Sequence, residues 1–261
     1  MSEQEPAANA AFTSEVVYQL PYNGEIREGI AFGDDSQILD IYYPETQTGP
    51  YGAVVFVMGF SDQAFGAIAG KHLKNLPSYK SWARLVAARG LVGVLYTTVE
   101  PVSDSLCCIE YLQAHASELN IEGNSIGLWA CSGNVPNAIH LLNSKQGIDS
   151  AVLCYGFMLD LNGSTGVRDA AAQFPVVNPN NGAESFPEGN ALMVVRAGKD
   201  EFAGITEGIE AFVAEGRARN SDLEFIDYSD GVHSFDVLDS SPQSIEIVKR
   251  MLQFLESKLK V

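Results

Sequence analysis

Basic residues and long hydrophobic runs are scarce in this sequence. It contains 16 lysines and arginines against 33 aspartates and glutamates, which gives a formal net charge of −17 over 261 residues. Because phosphate backbones and anionic lipids repel such a chain, binding to nucleic acid or to a membrane surface is disfavoured. No apolar run reaches the roughly 18 to 20 residues of a transmembrane helix. We therefore expect neither nucleic acid nor membrane among its partners, and we interpret the charge as an aid to solubility.

Signals for secretion, metal binding and dinucleotide binding are also absent. Residues 1–11 are acidic and polar without a basic segment, so we expect no secretory leader. There is no His-Glu-x-x-His motif and no Gly-x-Gly-x-x-Gly after a predicted strand. The four cysteines form no Cys-x-x-Cys pair; they are Cys107, Cys108, Cys131 and Cys154. These absences predict a cytoplasmic protein with reduced thiols, no metal site and no cofactor.

Strand and helix patterns alternate along the chain. Short apolar or alternating runs, which are typical of strands, occupy residues 16–20, 29–32, 37–43, 53–58, 91–98, 125–130, 148–155, 191–196 and 223–228. Apolar residues at steps of three and four, which are typical of helices, occupy residues 79–89, 102–119, 138–142, 205–213 and 241–259. This order predicts an α/β fold, with a doubly wound, mostly parallel sheet, helices on both faces and an antiparallel start.

Two long segments between these elements have little periodicity. We predict a flexible lead-in over residues 1–14 and a single domain over residues 15–261. Residues 61–78 resemble a long, irregular functional loop, and residues 156–190 are rich in Gly, Asn and Pro and too long for an ordinary connection. Both follow predicted strands, and ligands of such sheets bind at the carboxyl ends of the strands. We therefore predict that both segments are insertions that form a pocket.

Residues 130–134, with the sequence Ala-Cys-Ser-Gly-Asn, join a predicted strand to a predicted helix. A serine at such a sharp turn projects its hydroxyl from the end of the sheet. The backbone N–H of the next residue points the same way, since the first N–H groups of a helix have no partner in the helix. We predict that Ser132 is a nucleophile that attacks a carbonyl group.

A serine nucleophile needs a base, and the base needs a carboxylate that orients it. His233 follows the predicted strand 223–228, whereas the other histidines, at positions 72, 115 and 140, occupy an irregular segment and two helices. Asp200 follows the predicted strand 191–196 and is the favoured carboxylate. Glu201 and Asp160 are the alternatives.

Three motifs occur in order at strand ends, at residues 126–134, 196–200 and 231–235. With them the chain resembles the α/β-hydrolase superfamily over residues ~30–260, and within it the dienelactone-hydrolase-like enzymes and small carboxylesterases. The resemblance implies that Ser132 is the nucleophile, His233 the base and Asp200 the acid. It also implies an oxyanion hole made by the backbone N–H groups of Gly133 and Phe60.

The turn departs from this family in two respects. Asn134 stands where glycine is usual, and Cys131 adjoins Ser132 although dienelactone hydrolases use a cysteine nucleophile. If Cys131 were the nucleophile, Trp129 would occupy the position two residues before it, where bulk is not tolerated. We therefore predict that Ser132 attacks.

These features predict a serine hydrolase that cleaves a carboxylic ester or related acyl bond of a small molecule through an acyl-enzyme. The alternatives are dienelactone-type lactone hydrolysis, a thioesterase or peptidase on the same triad, and a hydrolase-fold protein that binds a ligand without turnover. The apolar residues that we expect to contact the substrate are Phe60, Tyr155, Phe157 and Met158. The oligomeric state stays open.

Overall fold

The fold is built on eight strands. The computed structural model describes residues 10–33, 37–46, 48–144, 146–219 and 221–259. The strands are β1 (Ile26–Phe32), β2 (Gln37–Tyr42), β3 (Tyr51–Phe56), β4 (Val92–Tyr96), β5 (Ile121–Cys131), β6 (Ile148–Cys154), β7 (Ala191–Ala197) and β8 (Leu223–Tyr228). They form one sheet in the order β1-β2-β4-β3-β5-β6-β7-β8.

The sheet is parallel except at its start. Strand β2 pairs antiparallel with β1 and with β4, and the remaining neighbours pair parallel. The helices are α1 (Asp62–Ala69), α2 (Pro77–Ala88), α3 (Pro101–Ala114), α4 (Val135–Ser144), α5 (Gly166–Gln173), α6 (Ile205–Ala218), α7 (Phe235–Leu238) and α8 (Pro242–Leu259). The predicted mostly parallel, doubly wound α/β fold is confirmed.

Helices cover both faces of the central strands, which explains their continuous apolar sequences. Every residue of β3 and β4 is buried. On one face of β5, Gly127 approaches Leu255 and Leu259 of α8, and Trp129 packs on Trp82 of α2 with ring centroids 5.0 Å apart. Helices α3, α4 and α6 pack against the other face.

The prediction of irregular structure over residues 61–78 is wrong. Ser61 caps α1, because its hydroxyl accepts a hydrogen bond from the Ala64 N–H at 3.2 Å, and Gly70 ends the helix at a φ of 69°. A 3-10 turn, Leu73–Asn75, and the start of α2 complete the segment. Phe65 is the buried residue of α1 and Ile68 is exposed, so the apolar face of this helix is short and gives only a weak periodic signal.

Other predicted elements also differ from the structure. Residues 16–20 form no strand; instead the Val16 N–H donates to the Ser81 hydroxyl, and the Val17 N–H donates to the Asp236 carbonyl. The helix predicted over 102–119 ends at Ala114. Turns follow it and lead into β5.

The two predicted insertions and the lead-in have defined structure wherever they are described. Most of the predicted lead-in, residues 1–9, lies outside the described residues, while residues 10–13 are helical. The segment 156–190 contains α5 and a 3-10 turn, Gly182–Ser185. The Asp160 carboxylate fixes the start of α5 by accepting the N–H groups of Val167 and Arg168 at 2.8 and 3.1 Å. The single domain over residues 15–261 stays a prediction.

Within the described ranges, no helix combines the length and the apolar character that crossing a bilayer would require. All four cysteines are free thiols, and Cys108 and Cys154 are buried.

Candidate active site

Ser132 lies at a strained turn between β5 and α4. Its φ is 53°, in the left-handed region that non-glycine residues rarely adopt, and it starts the 3-10 turn Ser132–Asn134. Small residues surround this turn. Ala130 is fully buried, and a Cβ atom added to Gly156 would lie 2.8 Å from the Ser132 carbonyl oxygen and 2.2 Å from Val135. Position 156, just after β6, therefore has no room for a side chain larger than that of glycine.

His233 lies between Ser132 and Asp200. Its Nε2 atom is 2.9 Å from the Ser132 hydroxyl oxygen, and its Nδ1 atom is 2.7 Å from Asp200 Oδ2. The Asp200 side chain is 0% exposed, and its other oxygen accepts the Phe202 N–H at 3.0 Å. A carboxylate at Nδ1 holds a proton on that nitrogen, so that Nε2 can accept the serine proton. The structure thus brings together the three residues that the sequence singles out.

The other candidates for base and acid have different partners. His72 pairs with Asp62 at 3.4 Å. His115 stacks on a tyrosine of α3, and His140 bonds to a serine of its own helix. Asp160 is engaged at the start of α5. These contacts favour Asp200 and His233.

The segment after β3 touches the turn at Ser132. A Cβ atom added to Gly59 would lie 2.4 Å from the Gly133 carbonyl oxygen, and one added to Gly133 would lie 3.0 Å from the Phe60 ring. The Gly59 N–H donates to Asn134 Oδ1 at 2.7 Å, so it is already engaged. Phe60 and Gly133 are therefore neighbours, as an oxyanion hole requires, and their role in one stays a prediction.

Cys131 is next to Ser132 but has the wrong chemistry for a nucleophile. Burial raises the pKa of the Cys131 thiol to about 12. Its sulfur is 3.8 Å from the Tyr79 hydroxyl. Since the thiolate is the reactive form of cysteine, this thiol is a poor nucleophile near neutral pH.

Ser132 and His233 open into a cavity of about 860 Å³. Aromatic side chains form much of its wall. They are Phe12, Phe60, Phe65, Tyr79, Trp82, Trp129, Tyr155, Phe157, Phe174 and Phe202. Three of the four predicted contact residues are in this set. Met158 is not: it is 0% exposed and its side chain packs in the hydrophobic core instead of lining the cavity.

Most of this wall, and a buried carboxylate beside it, are not among the residues that the sequence predicts for the site. Asp236 accepts hydrogen bonds from the Tyr155 hydroxyl at 2.5 Å and from the Trp82 indole at 2.8 Å. Burial raises the pKa of Asp236. The Tyr155 ring in turn packs against the His233 ring with centroids 4.9 Å apart. The signal available in the sequence was the position of Asp236, three residues after His233.

Among the described residues, no group of three or more histidine, cysteine, aspartate or glutamate side chains has an arrangement that could hold a metal ion.

Comparison with known proteins identifies the fold. No family model and no curated protein matches the sequence. Among solved structures, a thermostable esterase from Pseudomonas putida has a TM-score of 0.71 at 13% identity, covering 100% of this chain and 91% of that one. Brefeldin A esterase, described as a bacterial homologue of human hormone sensitive lipase, has a TM-score of 0.72 at 16% identity, covering 98% and 83%. A bacterial heroin esterase has a TM-score of 0.69 at 14% identity, covering 99% and 90%. The chain has the α/β-hydrolase fold.

Identities this low establish the fold and leave the activity to be argued from the site. The resemblance to dienelactone-hydrolase-like enzymes stays a hypothesis.

Proposed function

We propose that this α/β-hydrolase-fold protein is a serine esterase that works through an acyl-enzyme. One observation supports this most directly. His233 is within hydrogen-bonding distance of the Ser132 hydroxyl on one side and of the Asp200 carboxylate on the other. The two bonds give a nucleophile, a base and an orienting acid in the geometry that the reaction needs.

In the proposed reaction His233 Nε2 takes the proton of Ser132, whose oxygen attacks the ester carbonyl. The backbone N–H groups of Gly133 and Phe60 stabilise the resulting oxyanion, while Asp200 stabilises the imidazolium. The tetrahedral intermediate collapses as His233 protonates the leaving alcohol. A water molecule, deprotonated by His233, then hydrolyses the acyl-enzyme and regenerates Ser132.

The cavity favours an uncharged ester with a bulky apolar group. Its volume of about 860 Å³ is within the ~300–1,000 Å³ of small-molecule sites. Lys199, in its lining, is paired with Asp230 at 2.8 Å, and Glu201 adds a carboxylate to the lining. With a net charge of −17 on the chain, an anionic substrate would be repelled.

Covalent labelling tests the proposal. A fluorophosphonate should label the wild type, and Ser132→Ala should abolish both the labelling and the hydrolysis of p-nitrophenyl esters. Ser103→Ala is the matched control, since the Ser103 hydroxyl donates to the Glu100 carbonyl at the start of α3, away from Ser132. No labelling of folded wild type, or equal turnover by Ser132→Ala, would refute the proposal. Lactone, thioester and anilide substrates in the same assay would separate esterase activity from the lactonase, thioesterase and peptidase alternatives.

A further inference from the structure

Two buried asparagines, at the turn after Ser132 and in the first turn of α4, hold one peptide group of the segment after β3. Asn134 Oδ1 accepts the Gly59 N–H at 2.7 Å, and Asn137 Nδ2 donates to the Met58 carbonyl at 2.7 Å. The Met58 C=O and the Gly59 N–H belong to the same peptide unit. The side chains of Asn134 and Asn137 are buried, with residue exposures of 3% and 0%. The peptide is therefore fixed at both of its polar ends.

The next peptide unit contains the proposed oxyanion donor. Its carbonyl, that of Gly59, accepts the Val177 N–H at 3.0 Å, and its N–H is that of Phe60. In a planar trans peptide the C=O and the N–H point in opposite directions. The bond that holds the Gly59 carbonyl to Val177 therefore also fixes the direction of the Phe60 N–H, and the Phe60 ring is a neighbour of Gly133.

The orientation of the Asn134 amide follows from its partners. The Gly59 N–H can only donate, so the Asn134 atom beside it is the oxygen. The Asn134 nitrogen then donates to the Tyr79 hydroxyl at 2.8 Å. The Asn134 side chain thus bonds to Tyr79 of α2 through its nitrogen and to the Gly59 N–H through its oxygen. Glycine, the residue usual at this place in the family, has no side chain that could make either bond.

We propose that Asn134, assisted by Asn137, is a positioning residue that aims the Phe60 N–H at the oxyanion. This inference rests on the proposed serine esterase mechanism. Asn134 acts through Gly59 and does not touch the reacting atoms. Because an oxyanion donor acts on the transition state and not on the bound ester, loss of Asn134 should lower kcat and leave KM nearly unchanged.

The test compares Asn134→Ala and Asn134→Gly with the wild type. Complete loss of one oxyanion donor lowers turnover by about 10²–10³-fold, so a misaimed donor should lower kcat by roughly 10–100-fold, with KM changed by less than about threefold. Affinity for an alkyl trifluoromethyl ketone gives a second measurement. In that complex the serine oxygen bonds to the ketone carbon, the serine proton passes to His233, and the ketone oxygen becomes the oxyanion. This affinity should fall by a factor similar to kcat, while affinity for the corresponding methyl ketone stays the same.

Asn190→Ala is the matched control. Its side chain also donates to a carbonyl, that of Ile148 at 2.7 Å, but it lies just before β7, at the opposite edge of the sheet from Ser132. It should change thermal stability without changing kcat. Circular dichroism and thermal unfolding establish that each Asn134 variant is folded.

The outcomes separate this inference from the proposed function. Labelled, folded Asn134 variants with wild-type kcat would overturn the role of Asn134 and leave the esterase mechanism intact. A lower kcat with unchanged affinity for the trifluoromethyl ketone would also overturn it, since the oxyanion site would then be undisturbed. Failure of the wild type to be labelled or to hydrolyse esters would overturn the proposed function, and this inference with it.

Discussion

Replacing Asp200 by asparagine tests whether this buried carboxylate orients His233 as the proposed mechanism requires. The Asp200 side chain is 0% exposed and binds His233 Nδ1 at 2.7 Å. Asparagine has nearly the same shape, and its oxygen can still accept the Phe202 N–H. Its amide group can, however, donate to Nδ1. His233 would then carry its proton on Nε2, facing Ser132, and could not accept the serine proton.

The size of the effect follows from this change of tautomer. In serine hydrolases with such a triad the equivalent substitution lowers kcat by about 10⁴-fold. At 1.36 kcal/mol for each factor of ten, that is about 5 kcal/mol of lost transition-state stabilisation. Steady-state hydrolysis of a p-nitrophenyl ester gives kcat. The rate of fluorophosphonate labelling should fall as well, because labelling needs the same activated serine.

Asp160→Asn is the matched control, since Asp160 is an alternative acid in the sequence. Its carboxylate accepts the N–H groups of Val167 and Arg168 at the start of α5. This variant should lose about 1 kcal/mol or less of stability and keep its kcat. If Asp200→Asn retained kcat within about tenfold of the wild type, or if Asp160→Asn caused the greater loss, the assignment of Asp200 would be refuted.

Three more predictions concern the surroundings of the triad. Cys131→Ala should keep ester hydrolysis close to that of the wild type, because burial raises the pKa of this thiol to about 12 and the reactive thiolate is absent. Gly59→Ala should lower kcat and also cost about 1–3 kcal/mol of unfolding free energy, since the new Cβ would lie 2.4 Å from the Gly133 carbonyl oxygen; kinetics and urea unfolding measure both. Burial raises the pKa of Asp236. The unfolding free energy of the wild type should therefore fall, relative to that of Asp236→Asn, as the pH rises from about 4. Urea unfolding over a pH series measures that difference.

The sign of the last effect follows from proton binding. An aspartate in the unfolded chain ionises near pH 3.9, whereas Asp236 in the folded chain keeps its proton to higher pH. In this window the folded state binds more protons, so the free energy of unfolding falls as pH rises. A constant or rising difference between wild type and variant would contradict this. Loss of activity in Cys131→Ala, or wild-type kcat in Gly59→Ala, would contradict the other two predictions.

The sequence predicts the sheet, and it predicts that Ser132, Asp200 and His233 lie close together, because both depend on short-range patterns. Continuous apolar runs such as β3 and β4 mark strands that are covered on both faces. Ser132, Asp200 and His233 each lie just after a strand of the parallel part of the sheet, and the carboxyl ends of such strands meet at one edge. Their proximity therefore needs little beyond the order of the elements.

The wall of the cavity depends on longer-range packing, which the sequence does not reveal. Phe12 packs on Phe65 with ring centroids 5.6 Å apart, although the two residues are far apart in the chain. The bonds of Asp236 to Tyr155 and Trp82 join three separate segments in the same way. The capping serine and the terminal glycine of helix α1 are visible in the sequence, but its apolar face is too short to give a clear helical periodicity.

The aromatic wall of the cavity is in direct contact with the Asp200–His233 pair. The Phe202 ring lies 4.6 Å from the His233 ring, measured between centroids, and Phe174 packs on Phe202 at 6.1 Å. The Phe202 N–H also binds Asp200. Phe174 and Phe202 both line the cavity, and Phe202 also packs directly against the Asp200–His233 pair, where a lower local dielectric strengthens the electrostatic interaction. A substitution at Phe202 would change both the fit of the substrate and the solvation of Asp200. We therefore expect such a variant to change KM and kcat together, whereas an Asn134 variant should change mainly kcat.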